Sequence, residues 1–104
     1  MTVYVDNMMY PWRPPWLGGL TWRMNHLFAD TDDELHALAA SIGLKRRWFE
    51  CPPKASWPHY DVSAAYRLKA IEAGAQRVHW KHVPALWRAI EEVRLTQSPP
   101  RAIR

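Results

Sequence analysis

Short apolar blocks along the chain predict four strands. β-Branched and aromatic residues over 2–6 and an apolar run over 22–29 predict the first two. Residues 46–50 predict a third, and the polar–apolar alternation over 76–80 predicts a fourth. Because predicted helices separate the later strands, right-handed crossovers are favoured. We therefore expect an α/β fold with a small, mostly parallel four-stranded sheet and about three helices.

The first predicted helix has the clearest start signal. Thr31 and Glu34 have capping-box spacing, in which each side chain satisfies a free backbone N–H group of the other. Apolar residues then recur at helical spacing from Leu35 to Ile42, and Gly43 suits the end of the helix.

Two further helices follow. Asp61 or Ser63 caps the second, which runs to Ala73. The third starts near Pro84, since proline is favoured in a first helical turn.

The remaining segments are irregular. A long loop rich in proline and tryptophan covers 7–21, where three prolines and a Gly-Gly pair exclude a regular helix. Loops of this length are often functional. We expect a single domain over 1–95 and a flexible C-terminal tail over 96–104.

Composition narrows the class of protein. The 104 residues suffice for one domain, and a single cysteine, Cys51, excludes both a disulfide framework and a cysteine-rich zinc site. Residues 1–7 lack the pattern of a signal peptide, and no apolar run approaches the roughly 20 residues of a membrane span. We expect a cytoplasmic domain without a membrane partner.

The charge distribution favours an anionic partner. The formal net charge is +4, and no acidic residue occurs between Asn7 and Ala29, where Arg13 and Arg23 are the charged residues. Such a charge speaks to partners and solubility, not to fold.

The ends of the predicted strands carry the candidate chemistry. In an open parallel sheet, ligands bind beyond the carboxyl ends of the strands. Asp6 and Asp30 follow the first two strands, and His59 and Asp61 lie in the loop after the third. If the strands are parallel, these four side chains gather on one rim as candidate catalytic residues.

One interpretation of this rim is a metal-dependent phosphoester hydrolase. Asp6, Asp30 and Asp61 would hold Mg²⁺ or Mn²⁺ through oxygen ligands, and His59 would act as the base. In the alternative interpretation, the aspartates only cap turns and helices. An extended chain places His26 about 13 Å from Asp30, so the two cannot share one ion. We therefore expect His26 to be satisfied within the sheet.

A second interpretation is a binding surface for phosphate. Ser63 and the backbone N–H groups beside it begin a helix, where anions are favoured, and Arg67 lies one turn further on. The alternative for Arg67 is a solvated helix face.

Tryptophan is abundant, with seven residues in the chain. Trp12, Trp16 and Trp57 are predicted in loops, where they could stack on bases beside Arg13 and Arg23. Alternatively, they cover an edge or a contact between copies in a homo-oligomer. The other four are expected to fill the core: Trp22, Trp48, Trp80 and Trp87.

Three segments together resemble a known family. They are Met-Thr-Val-Tyr-Val-Asp over 1–6, His-Leu-Phe-Ala-Asp-Thr-Asp-Asp-Glu-Leu-His over 26–36, and His-Tyr-Asp-Val-Ser over 59–63. The resemblance is to DUF4031, a family of small bacterial and phage proteins of unknown function, and it spans nearly residues 1–80. It implies a small single-domain protein and no established activity.

The family pattern carries over onto Asp6, His26, Asp30, His59, Tyr60, Asp61 and Arg67. The sequence departs from the pattern at Tyr66, where the family would have a lysine, and in its longer loop at 8–22. The first departure weakens a phosphate site on the second helix. The second suggests that ligand access or partner choice differs here.

The sequence leaves open whether the protein is an enzyme. The leading interpretation is a binding module for a phosphate-bearing partner, either nucleic acid or a nucleotide, at the carboxyl rim of the sheet. The alternative is the metal-dependent hydrolase, which alone requires a divalent cofactor. A protein-interaction module using the aromatic loops is the third.

Overall fold

A computed structural model of the protein describes residues 2–97 as one sheet flanked by helices. The strands are β1 (Val3–Val5), β2 (Tyr10–Trp12), β3 (Trp22–Ala29), β4 (Tyr60–Ser63) and β5 (Gln76–Arg77). The α-helices are α1 (Asp32–Ser41), α2 (Ala64–Glu72) and α3 (Val83–Gln97). Short 3₁₀ turns occupy Pro15–Leu17, Arg46–Trp48 and Trp80–His82.

The central strand β3 organises the sheet. β1 and β2 follow one another along one edge of β3, β4 pairs with the other edge, and all three pairings are antiparallel. β5 is parallel to β1 on the outer side. The sheet is therefore mixed and has five strands. The α/β class is confirmed, whereas the expectation of a mostly parallel four-stranded sheet is wrong.

The direction of β3 has a simple physical cause. A parallel connection needs a crossover of a dozen or more residues, usually helical. The prolines between β1 and β3 exclude such a helix, so the chain turns back as a hairpin. The predicted loop over 7–21 consequently contains β2 and a 3₁₀ turn.

Two other segments differ from the expected structure. The predicted third strand over 46–50 is a 3₁₀ turn, and its Glu50 forms an isolated bridge with His59. β4, in contrast, lies where a loop and a helix start were expected, because Tyr60 and Val62 alternate into the core. The predicted fourth strand is reduced to the two residues of β5.

The helix starts agree better with the sequence. The Glu34 N–H group donates to Thr31 Oγ1 at 3.3 Å, and the Thr31 hydroxyl donates to Glu34 Oε1 at 2.8 Å. Ser63, not Asp61, caps α2. α3 begins one residue before Pro84 and continues through Gln97. The tail predicted over 96–104 thus starts inside α3, and its remaining residues lie outside those described.

The two faces of the sheet are covered differently. On one face, α1 and α2 pack on an apolar core that includes Val5, Leu27 and Val62. On the other face, α3 covers Phe28 at one end of the sheet. His26 is two residues before Phe28 on this second face, which places it beside the α3 contact.

No helix within residues 2–97 has both the length and the hydropathy needed to cross a bilayer.

Replacing Thr31 by alanine is expected to lower the free energy of unfolding by about 1 kcal/mol, because the N-cap acceptor of α1 is lost. Urea denaturation measures the change. Ser41→Ala, at the exposed end of the same helix, is the matched control and should be nearly neutral. Equal effects of the two substitutions would contradict a capping role for Thr31.

Candidate functional site

A bulge between β1 and β2 brings Asp6 against the middle of β3. The Asp6 N–H group donates to the His26 carbonyl at 3.0 Å, and β2 then resumes the pairing with two extra residues on its side. Met9 within the bulge has φ 54°, and its N–H group donates to Asn25 Oδ1. Bulges of this kind re-aim side chains and are common beside functional sites.

The Asp6 carboxylate holds His26 in one orientation. Asp6 Oδ2 accepts a hydrogen bond from His26 Nδ1 at 2.7 Å, and Oδ1 accepts from the backbone N–H groups of His26 and Met8. Asp6 is only 1% exposed. Because a carboxylate only accepts, the His26 proton lies on Nδ1 and the Nε2 lone pair is free for another partner.

His59 is oriented in a similar way by a backbone carbonyl. Its Nδ1 donates to the Trp57 carbonyl at 2.9 Å, and the Trp57 ring stacks on the imidazole with centroids 4.8 Å apart. Its Nε2 lies 3.3 Å from Asp61 Oδ1 and 3.4 Å from Glu50 Oε1. This imidazole nitrogen therefore faces two carboxylates.

Asp61 completes the cluster from β4, where it is paired with His26 across the sheet. Its Oδ1 atom is 4.0 Å from His26 Nε2. This oxygen is buried, yet it makes no hydrogen bond of acceptable geometry with the described residues. The two imidazole nitrogens and this oxygen all lie within 4.8 Å of one another. The three atoms therefore lie close enough together to share one partner.

The two carboxylates at this cluster have different acidities. Burial raises the pKa of Asp61, but its interactions with His59 and Tyr10 outweigh burial and lower that pKa to about 2. For Glu50, burial and the neighbouring Asp61 raise the pKa above its ordinary value. Burial also raises the pKa of Tyr10, as does Asp61. Asp61 is thus the ionised acid, and Glu50 accepts protons more readily.

The charge of His59 follows from the same contacts. Burial lowers its pKa, but the Asp61 interaction and the Trp57 carbonyl outweigh burial, so the pKa lies above its ordinary value. In the absence of a metal ion, these contacts therefore stabilise the protonated form of His59 relative to a free imidazole.

Asp30 lies away from this cluster. It accepts hydrogen bonds from the Thr2 N–H group and the Tyr4 hydroxyl, at the opposite end of β1 from Asp6. It lies four positions after His26 along the extended chain, about 13 Å away. The structure therefore does not bring Asp30 together with Asp6 and Asp61, as the expected ion would require. The physical reason is that β1 and β3 are antiparallel, so their carboxyl ends lie at opposite edges of the sheet.

The other predicted contributors from the 59–67 region are engaged elsewhere. Tyr60 faces the α1 side, where its hydroxyl is 2.8 Å from His36 Nδ1. Ser63 accepts the Tyr66 N–H group as the cap of α2. Arg67 donates through Nε to the Asp6 carbonyl at 2.9 Å, so it reaches the margin of the cluster.

The predicted aromatic and basic residues divide into two places. Trp57 forms one wall of the cluster, between the rings of His59 and Trp87. The others lie on the β2–β3 hairpin: Trp12, Trp16, Arg13 and Arg23. Three of the tryptophans expected in the core are exposed instead: Trp22, Trp48 and Trp80. The core is built mainly from smaller aliphatic side chains, so bulky indoles remain at its margin.

Sequence reasoning did not include Glu50 or Tyr10 among the candidate residues. It expected His26 to be satisfied within the sheet, where the structure shows this residue bonded to Asp6. Glu50 reaches the site through its bridge with His59, across a proline-rich segment that carries no pairing signal. Tyr10 stacks on His26 with ring centroids 5.3 Å apart. It lies in β2, a strand that the sequence does not predict because it contains Pro11. The family resemblance included His26 and was the feature of the sequence that indicated this residue as part of a site.

The sequence model of the family described as "Protein of unknown function (DUF4031)" matches residues 3–90. The chain therefore belongs to this family, as the resemblance indicated. No curated protein and no solved structure matches the chain. The family description assigns no activity, so the function has to be argued from the site.

Substituting Asp6 by alanine is expected to destabilise the metal-free protein by about 2–3 kcal/mol, because the N–H and Nδ1 groups of His26 lose their buried acceptor. Urea denaturation in the presence of EDTA measures the effect without a contribution from metal. The control is Asp33→Ala, an exposed acid in the first turn of α1, which should cost well under half as much. A similar loss in both variants would refute the positioning role of Asp6.

Proposed function

We propose that the protein is a metal-dependent hydrolase of phosphoesters, with a divalent ion held by His26, His59 and Asp61. The observation that carries this proposal is the convergence of the two Nε2 atoms and Asp61 Oδ1 within 4.8 Å. Catalytic metal sites commonly use three protein ligands and leave a further position for water.

The surroundings of the imidazoles support a metal site. Histidine ligands normally donate their second ring N–H to a carboxylate or a backbone carbonyl, which fixes the tautomer. His26 donates to Asp6 in this way, and His59 donates to the Trp57 carbonyl. Donor atoms around a tetrahedral Zn²⁺ lie about 3.3–3.5 Å apart, given bonds of about 2.0–2.1 Å. The separations from Asp61 Oδ1 are 3.3 and 4.0 Å, and the two imidazole nitrogens lie within 4.8 Å of each other, so the rings would move closer together around one ion.

The donor set also indicates the kind of ion. Mg²⁺ or Mn²⁺ was expected from three carboxylates, but imidazole nitrogens supply two of the three donors. Imidazole favours Zn²⁺ and other late first-row ions, whereas Mg²⁺ prefers oxygen. We therefore propose Zn²⁺ or a chemically similar ion.

Glu50 is suited to act on a water molecule at this centre. A bound divalent ion can lower the pKa of its water to about 7 and supply a nucleophile at neutral pH. Glu50 Oε1 is 3.4 Å from His59 Nε2, and burial raises its pKa. A carboxylate at this distance can accept a proton from a water molecule at the ion, which is the role of a general base.

The charge of the protein favours phosphate-bearing substrates. Arg67 borders the cluster through Asp6, and Lys54 is close enough to Glu50 to lower the pKa of that acid. With the net charge of +4, these side chains would attract an anionic substrate toward the ion.

Binding of a phosphate-bearing partner without catalysis is the second candidate. The exposed tryptophans and arginines of the β2–β3 hairpin favour it. The protein-interaction module stays a prediction, as does a role of the aromatic segments in homo-oligomers.

Metal-free protein is expected to bind one equivalent of Zn²⁺ or Co²⁺, measured by calorimetry and by the visible absorption of Co²⁺. At a hundredfold excess over Kd, the Tm should rise by about 10 °C or more. Mg²⁺ should bind much more weakly. His26→Ala and Asp61→Asn should abolish the response.

His79 and His82 provide the control for adventitious binding. Their rings are 6.1 Å apart on an exposed segment that is separate from the cluster. The double variant His79→Ala/His82→Ala should retain the equivalent bound by wild type. If this variant loses the ion and Asp61→Asn retains it, or if wild type binds none of these ions, the proposed centre is wrong.

Protein loaded with metal is expected to hydrolyse bis(4-nitrophenyl) phosphate, and Glu50→Gln should lower kcat by about a hundredfold or more, because the general base is lost. The matched control, Glu72→Gln, is exposed at the end of α2 and should not change kcat. Calorimetry must show that Glu50→Gln still binds the ion. Unchanged kcat in Glu50→Gln would exclude Glu50 as the base, and a loaded wild type without activity on this probe would count against the hydrolase.

A further inference from the structure

A row of aromatic side chains leads from the cluster along the same face of the sheet. Tyr10 and Trp12 alternate with Pro11 in β2 and therefore share one face, and Tyr10 stacks on His26 at 25° between ring planes. Trp12 is paired with Trp22 across the hairpin, with ring centroids 5.8 Å apart. We refer to Tyr10, Trp12, Trp16 and Trp22 as the aromatic row.

The row is open to solvent at its outer end. Trp12 is 38% exposed, Trp22 is 44% exposed and Trp16 is 71% exposed. Trp16 continues the row beyond Trp12, with ring centroids 5.5 Å apart in an edge-to-face arrangement. Exposed tryptophans in mutual contact are unusual on a protein surface without a partner.

The charge around the row favours an anion. The segment from 7 to 29 has no acidic residue. Of its two arginines, Arg23 alternates with Trp22 in β3 and therefore lies on the opposite face of the sheet, which leaves Arg13 as the arginine of this segment beside the row. Arg13 donates to Thr21 Oγ1, which keeps its guanidinium at the outer end of the hairpin. At the inner end, Arg67 borders the cluster through the Asp6 carbonyl. Cationic groups thus occur at both ends of the row.

We infer that the aromatic row is a stacking platform for single-stranded nucleic acid and leads its phosphodiester backbone to the cluster of His26, His59 and Asp61. The substrate class named here rests on the proposed hydrolase function. Every base has a π-face that can stack on tryptophan, while arginine attracts the phosphates. In a duplex the bases already stack on one another, so a double strand cannot use the row in the same way.

The length of the row suits a short stretch of single strand. From Trp22 to His26, β3 advances about 13 Å. At a rise of about 3.4 Å per nucleotide, this length matches roughly four stacked nucleotides, and fewer in an extended strand. A strand bound along the row would therefore place a phosphodiester, several nucleotides from its outermost stacked base, at the cluster.

The test is fluorescence anisotropy with labelled single-stranded DNA and RNA oligonucleotides about 12 nucleotides long, within the range that single-strand binding domains cover. Metal-free protein in EDTA prevents cleavage and isolates binding. Trp16→Ala and Trp12→Ala are expected to raise Kd about fivefold or more each. Affinity should fall steeply with salt, and a duplex of the same sequence should compete poorly.

Trp48→Ala and Trp80→Ala are the controls, because these tryptophans are exposed to about the same extent as Trp12 but lie outside the row. They should leave Kd unchanged. Equal weakening by all four substitutions, or no binding by wild type, would overturn the inference. A dimer that Trp16→Ala converts to a monomer, with oligonucleotide binding unaltered, would identify the row as a contact between copies and would also overturn it.

The metal-free format separates the two proposals. If the hydrolase proposal fails, calorimetry shows no bound ion while the tryptophan-dependent anisotropy change persists. If the present inference fails, the ion binds normally while the anisotropy change is absent or independent of Trp12 and Trp16. With both correct, the loaded protein cleaves the single strand, and Trp16→Ala raises KM for the oligonucleotide without changing kcat for bis(4-nitrophenyl) phosphate.

Discussion

The buried hydrogen bonds between Asp6 and His26 connect the fold of this protein to its chemistry. A carboxylate that is 1% exposed is costly unless donors surround it, and here three N–H groups do so. These bonds hold the bulge between β1 and β2 against the middle of β3, and Arg67 links the same point to α2. The contact that stabilises the bulge also fixes the His26 tautomer. Any change at Asp6 therefore alters stability and site geometry together.

The partial cover of the second sheet face is the next constraint. α3 packs on Phe28, and Trp57 continues this apolar layer until its ring meets His59. His26, next along β3 on the same face, contacts the rings of both Trp57 and Tyr10, and 18% of its side chain stays exposed. A longer helical cover would bury the cluster completely, whereas no cover would leave the imidazoles fully hydrated. Partial cover of this kind lowers the local dielectric around the imidazoles.

Local signals in the sequence predicted local structure well. The capping box of Thr31 and the boundaries of β3 depend on neighbouring residues, and both agree with the structure. The predicted gathering of Asp6 and Asp30 at one edge of the sheet depended on parallel strands. Strand direction is a non-local property, and the proline-rich hairpin makes β1 and β3 antiparallel, so the two aspartates lie at opposite ends of β1. The estimate of about 13 Å between His26 and Asp30 agrees with the structure. It did not consider Asp61, which is the acid that lies near His26. Glu50 reaches the site through its bridge with His59, nine residues along the chain. No hydrophobic periodicity in the sequence predicts this bridge.

The two acids beside His59 show why position, more than residue type, assigns their roles. Asp61 lies on β4 directly opposite His26, and its buried Oδ1 has no hydrogen bond with the described residues. A lone pair that is desolvated and unused is best stabilised by a cation. Glu50 follows a 3₁₀ turn at the edge of the site, where partial burial and the neighbouring Asp61 raise its pKa, so it holds a proton more tightly. One carboxylate is therefore suited to bind an ion permanently, and the other is suited to exchange protons with water at that ion.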